Sequence, residues 1–135
     1  MKISSKSKHG LRAMVELALN YGQGLMQIKT IAERVGISSK YIEKLVVSLR
    51  LGGLVRSKIG PAGGYILARQ PSKIKASEVI NALEGPAYHT DCEQHKKFTK
   101  GCAGCVMTKV WTKLHKNTWN LIDSTTLQDL IDMKK

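Results

Sequence analysis

Apolar residues recur along the first third of the chain at helical spacing. Leu11, Met14, Val15, Ala18 and Leu19 fall at i, i+3, i+4, i+7 and i+8, and Gly22 and Gly24 then interrupt the pattern. The spacing predicts a first helix with that stripe turned inward. A shorter repeat follows, with Ile28, Ile31, Ala32 and Val35 on one face and Gly36 placed to end it in the left-handed conformation. A third helix is expected after Ser38 or Ser39 as cap, with Ile42, Leu45, Val46 and Leu49 inward and Gly52 and Gly53 closing it. Its outward positions are Lys40, Glu43, Lys44, Val47, Ser48 and Arg50. Two helices joined by a tight glycine-containing turn, TIAERVGISSKYIEKLVVSLR, have the length and punctuation of a helix-turn-helix.

Beyond Gly53 the pattern turns to β. LVRSKI and YILAR flank GPAGG, a turn rich in Gly and Pro, and together they predict a hairpin in the position of a wing. Arg56, Lys58 and Arg69 decorate it, and Gly60, Gly63 and Gly64 let the backbone come close to a phosphate. ASEVINALEG reads as a fourth helix with Val79, Ile80 and Leu83 inward, ended by Gly85 and Pro86. From about residue 103 to 122 a longer helix carries Met107, Val110, Trp111, Leu114, Thr118, Leu121 and Ile122 on one stripe, widened by Val106 and Trp119. That is more apolar surface than a solvated helix needs. Thr125 and Gln128 are placed for a capping box at the start of a last short helix. The expected fold is mostly α with a small β-hairpin wing: a winged helix-turn-helix domain over residues 1–75, then a cysteine loop and long C-terminal helix over 76–135.

Charge changes the picture from fold to partner. The chain of 135 residues carries a formal net charge of +12. Residues 1–75 hold 14 Lys and Arg against 3 Asp and Glu, whereas residues 76–135 hold 8 against 7, so the basic surface belongs to the helix-turn-helix half. Such a balance calls for an acidic partner. Single-stranded RNA is disfavoured because the aromatic residues are few and not interleaved with the cations. A membrane partner is disfavoured because the basic helices have ordinary core faces and no apolar run has the length of a span. No P-loop, dinucleotide fingerprint or nucleophile elbow points to an enzyme. The amino-terminal MKISSKSKHG lacks a signal-peptide core, and a cytoplasmic protein is expected.

Double-stranded DNA is the remaining partner. In a winged helix-turn-helix the third helix enters the major groove and the wing follows the adjacent backbone or minor groove. Ser39, Lys40, Tyr41, Glu43 and Lys44 are then the candidate base readers, with Glu43 accepting from a donor such as cytosine N4. Arg50, Arg56 and Lys58 would neutralise phosphates and fix register, and Gly63 would bring the wing backbone close to the duplex.

All three cysteines fall in CEQHKKFTKGCAGC, as Cys92, Cys102 and Cys105. An odd number of thiols in an expected cytosolic chain argues against a disulfide framework. Lys96, Lys97 and Lys100, and the predicted helix start after the third cysteine, favour the thiolate form. Free thiols, a zinc site of the Cys3His kind completed by His89 or His95, and an iron-sulfur cluster all remain open on these residues.

MKISSKSKHGLRAMVELA, IAERVGISSKYIEKLVVSLRLGGLVRSKIGPAGGYILAR, NALEGP and DSTTLQDL together resemble the small winged-helix transcription regulator family that includes IscR, NsrR and CymR. The resemblance spans essentially the whole chain. It implies a homodimer formed through the long C-terminal helix, whose bulky stripe independently suits that role. It also implies a palindrome-like operator with half-sites about 34 Å apart. Likeness to the IscR and NsrR branches implies an iron-sulfur cluster, 2Fe-2S or 4Fe-4S, on Cys92, Cys102 and Cys105, sensing cluster, redox or nitric oxide status. Cys102 stands nearer the third cysteine than in those branches. The IscR-branch histidine one turn after the third cysteine is here Thr108, and the acidic residue that serves in NsrR-like members is here Lys8, so His89, His95 and His9 are the candidate fourth ligands. Likeness to CymR implies the alternative, a repressor without a cluster that a partner protein controls.

Overall fold

In the computed structural model, which describes residues 3–85 and 105–134, the third helix is organised as its periodicity requires. It spans Ser39–Leu51 (α3), and Ile42, Leu45, Val46 and Leu49 are all buried. Ser38 is its cap: the hydroxyl oxygen accepts from Tyr41 N at 3.3 Å, satisfying one of the free amides of the first turn. Before it, α2 spans Ile28–Val35 with Ile31, Ala32 and Val35 buried. Gly36 follows at φ 78° and ψ 36°, a conformation in which a β-carbon is strained, and its N–H donates to Ala32 O at 2.8 Å. That cap turns the chain sharply enough for α3 to start within three residues.

The first helix, α1, spans Ser5–Leu19 and crosses the back of this pair. Its buried line is Ser7, Gly10, Ala13, Met14, Leu17 and Ala18. The expected stripe therefore rotates: Met14 and Ala18 are central, Leu17 joins them, and Leu11, Val15 and Leu19 are half-buried along the flank. Small residues explain the shift, because Gly10 and Ala13 let neighbouring helices come close where a leucine would hold them away.

Strands β1 (Val55–Lys58) and β2 (Gly64–Leu67) pair antiparallel, with Val55 opposite Leu67, Arg56 opposite Ile66, Ser57 opposite Tyr65 and Lys58 opposite Gly64. Val55 and Leu67 turn into the core while Arg56 and Lys58 turn out. A two-stranded ribbon is marginal by itself. Here it is tied down at Met26, which donates to Tyr65 O at 3.0 Å and accepts from Tyr65 N at 2.9 Å.

After a 3-10 turn at Pro71–Lys73, α4 spans Ala76–Glu84 with Val79, Ile80 and Leu83 buried, and Gly85 ends it. The long helix, α5, spans Val106–Ser124, and α6 spans Leu127–Lys134. The cap of α6 lies one residue beyond the expected pair. Thr126 and Asp129 form it, through Thr126 N to Asp129 Oδ2 at 2.8 Å and Asp129 N to Thr126 Oγ1 at 3.2 Å. Thr125 is occupied instead as the last cap of α5, its hydroxyl donating to Leu121 O at 2.8 Å, and Gln128 reaches Asp132.

The chain end returns to the front half. Ala76 N donates to Thr125 O at 2.8 Å and Leu127 N to Ile74 O at 2.9 Å, and Lys134 reaches Glu16 on α1 at 3.0 Å. Leu127 and Ile131 join Met14, Leu17, Ile42, Leu49, Leu54 and Val79 in one apolar cluster. Helices α1 to α4, the hairpin and α6 thus share a core, and α5 projects from it.

Candidate nucleic-acid interface

The buried stripe of α3 fixes what the opposite face can do. With Ile42, Leu45, Val46 and Leu49 fully inside, Ser39, Lys40, Glu43, Lys44 and Arg50 are all exposed. The amino-terminal turn of α3 carries no acidic residue within it, and it presents Lys40 and Lys44 one turn apart on the exposed surface. Tyr41 differs from its neighbours. It is half-buried, packs against the core, and meets the His9 ring edge-on at 5.7 Å. Its ring therefore braces the start of α3 against α1.

The hairpin lies beside the far end of the same helix. Arg50 Nη1 donates to Ser57 Oγ at 3.4 Å, so the last turn of α3 and the middle of β1 are in direct contact. Arg56 and Lys58 are exposed on β1. Arg69, which the sequence suggests as a further wing cation, is held elsewhere: it donates to Lys73 O at 3.0 Å and forms an ion pair with Glu78 at 2.8 Å. Its charge is therefore partly neutralised within the fold. Gly63 has a structural reason of its own. A β-carbon there would stand 2.1 Å from Lys58 O and 2.8 Å from Gly60 O, so only glycine lets the turn close. Sequence reasoning passed over Ile59 at the wing tip, whose signal was a large apolar side chain between Lys58 and a turn of glycine, proline and alanine.

Of the candidate metal ligands, Cys92, Cys102, His89 and His95 lie outside the described residues. Cys105 is exposed and is the N-cap residue of α5. His9 sits against Tyr41, and its Nδ1 is buried without a hydrogen-bond partner. Thr108, one turn into α5, is buried, with its N–H donating to Cys105 O at 3.1 Å. Among the described residues no group of three or more His, Cys, Asp or Glu is gathered closely enough to hold a metal ion.

The apolar stripe of α5 is divided. Towards its carboxyl end, His115, Thr118, Trp119 and Ile122 line a small crevice with Ile3, Ser7 and Ile80. Nearby, Ser77 donates to Asp123 at 2.7 Å and Lys75 pairs with it at 3.3 Å. Towards its amino end, Val106, Met107, Val110, Trp111 and Leu114 are exposed, Val110 by 51% and Leu114 by 43%, and of the stripe near the carboxyl end Leu121 is exposed as well. No helix among the described residues is long and apolar enough to cross a membrane.

Residues 3–133 match the model of the Rrf2 family, described as an iron-dependent transcriptional regulator. The chain is 38% identical over 130 residues to the HTH-type transcriptional regulator CymR of Bacillus subtilis, covering 96% of this chain and 89% of that one. The solved structure of CymR, described as the global cysteine regulator of B. subtilis, superposes with a TM-score of 0.79 at 36% identity over 98% of both chains. The structure of T. potens IscR superposes with a TM-score of 0.82 at 38% identity, over 100% of this chain and 89% of that one.

Proposed function

Because the chain belongs to the Rrf2 family of DNA-binding transcriptional regulators, we propose that it acts as a homodimer gripping an operator with two α3 helices and two wings, under control of an iron-sulfur cluster on Cys92, Cys102 and Cys105. The observation that carries the DNA reading is the division of α3, with Ile42, Leu45, Val46 and Leu49 buried on one face and Lys40, Lys44 and Arg50 exposed on the other, continued by Arg56 and Lys58 on the adjoining strand. Lys40, Glu43 and Lys44 face base edges, while Arg50, Arg56 and Lys58 hold phosphates.

Dimer formation is supported by the exposed Val110, Trp111 and Leu114 of α5, a row that one chain leaves in water. Three thiols within fourteen positions, the last at the amino end of α5, form a donor set suited to iron-sulfur ligation. When bound, the cluster supplies a group whose charge and integrity follow iron supply and oxidant exposure. The chain's own part is to couple that segment to the DNA-binding half, through α4 on one side and α5 on the other. Loaded and empty forms then differ in operator affinity by about 1 to 3 kcal/mol.

Likeness to CymR supports a second reading, in which the operator grip is set by a partner protein and the thiols hold zinc or nothing. An absorbance spectrum of anaerobically purified protein with iron, sulfide and zinc analysis separates the two. Visible charge-transfer bands, together with operator affinities that change in Cys92→Ala, Cys102→Ala and Cys105→Ala, support the cluster. A colourless protein with the same affinity in all four forms leaves the partner-controlled repressor.

A further inference from the structure

The turn between β1 and β2 holds Ile59 with 93% of its surface exposed, more than any other exposed large apolar side chain among the described residues. Single exposed apolar residues are common on protein surfaces and mean little by themselves. Three features distinguish this one. It follows directly on Lys58 and lies three residues from Arg56, both exposed cations of the wing. It stands at the tip of the hairpin, where the Lys58–Gly64 pair closes the ladder.

The third feature is that the tip is preformed. Gly63 N donates to Gly60 O at 2.9 Å, and the Gly63 backbone lies so near Lys58 O that a β-carbon would stand 2.1 Å from it. An isoleucine is itself stiff at its first side-chain torsion. The wing therefore presents a rigid, water-exposed hydrocarbon knob at the place its neighbouring cations carry to the duplex.

Isoleucine has no donor or acceptor, so it cannot hydrogen-bond the adenine N3 and thymine O2 groups on the minor-groove floor. It can only fill space there, and the 2-amino group of guanine occupies that same space. We infer that Ile59 is a specificity-determining residue, an apolar wedge that seats in the minor groove flanking each half-site and selects base pairs without a guanine 2-amino group. This inference rests on the DNA-binding reading above and adds to it a preference that the major-groove contacts of α3 do not supply.

The test uses the full-length protein and a duplex enriched by it from a randomised pool, with the wing-facing pairs located by minor-groove footprinting. Replacing adenine there by 2,6-diaminopurine adds the 2-amino group and leaves the pairing partner unchanged; replacing guanine by inosine removes it. Wild-type protein is expected to bind the diaminopurine duplex roughly ten-fold more weakly, the scale set by losing one apolar burial, and the inosine duplex more tightly than its guanine counterpart. Ile59→Ala should bind the unmodified duplex more weakly and treat all the duplexes alike, with an unchanged thermal midpoint because the side chain touches no core. Lys44→Ala should weaken every duplex by the same factor. Full discrimination retained by Ile59→Ala, or none in the wild type, overturns the wedge while the Lys44→Ala loss keeps DNA binding standing. If no duplex is enriched, the DNA-binding reading falls and the wedge with it.

Discussion

Gly10 on α1 and Leu83 on α4 meet without room for a methyl group: a β-carbon on Gly10 would stand 2.1 Å from Leu83 Cδ1 and 3.3 Å from Cγ. The contact joins the helix behind the helix-turn-helix to the helix that leads into the cysteine segment. On an exposed helix, Gly to Ala stabilises by roughly 1 kcal/mol. Here overpacking acts against it at about 1 to 3 kcal/mol, because Leu83 is itself buried and cannot swing clear. Gly10→Ala should therefore lower stability by up to about 2 kcal/mol, read as a lower urea midpoint with an unchanged slope.

Replacing one residue of the exposed α5 row should separate the protomers without unfolding them. Leu114 is 43% exposed, so Leu114→Asp introduces no charge into the core of a single chain. Sedimentation should show half the wild-type mass. Operator affinity should fall roughly 10²- to 10⁴-fold as binding of the second half-site ceases to be intramolecular.

Salt should weaken operator binding steeply. For about six to ten phosphates neutralised per dimer, affinity falls roughly 10³- to 10⁵-fold between about 50 and 200 mM salt. Arg56→Ala, which removes an exposed cation assigned to phosphate, should make the slope shallower by about one for each phosphate left without its arginine, uniformly across operator sequences. A slope unchanged in this variant removes Arg56 from the phosphate-binding set.

Acid should loosen the joint between α1 and α4. The Ser4 hydroxyl, helped by Ser7 at 2.8 Å and the charge of Lys6, outweighs partial burial and holds the Glu84 carboxyl below its ordinary value of 4.5. A carboxyl with a lowered folded value contributes stability that is present above 4.5 and is lost as pH falls through the folded value. Glu84→Gln should therefore show a smaller drop in urea midpoint between pH 7 and values below 4.5 than the wild type. Asp123 and Asp129, lowered by hydrogen bonds from Ser77 and Thr126 respectively, keep part of the drop in both proteins.

Elements whose burial follows one period were legible in the sequence. The inward residues of α3 and the left-handed cap at Gly36 agree residue for residue, because a single apolar stripe and a single glycine decide them. The face of α1 was not, since Gly10 and Ala13 are buried for being small, and a hydrophobic pattern gives weight to Leu11 and Leu19 instead. The Met26–Tyr65 bridge was equally hidden: one residue pairing with a distant strand has no period to detect. Capping at Thr126 and Asp129 was missed by one position because two threonines stand side by side. At the candidate interface the cations were legible from charge and spacing. The withdrawal of Arg69 by Glu78 was not, as it depends on how α4 returns past the wing.

Among the described residues the long helix is seated towards its carboxyl end, while Val106, Met107 and Val110 towards its amino end are exposed. From Trp119, seated between α1 and α4, to Cys105 is a rod of about 20 Å. Each degree of pivot at the seated end sweeps the tip through about a third of an ångström. On the proposed reading the helix is a lever with its fulcrum against α1 and α4, and a small displacement of its Cys105 tip would arrive at that fulcrum as torque.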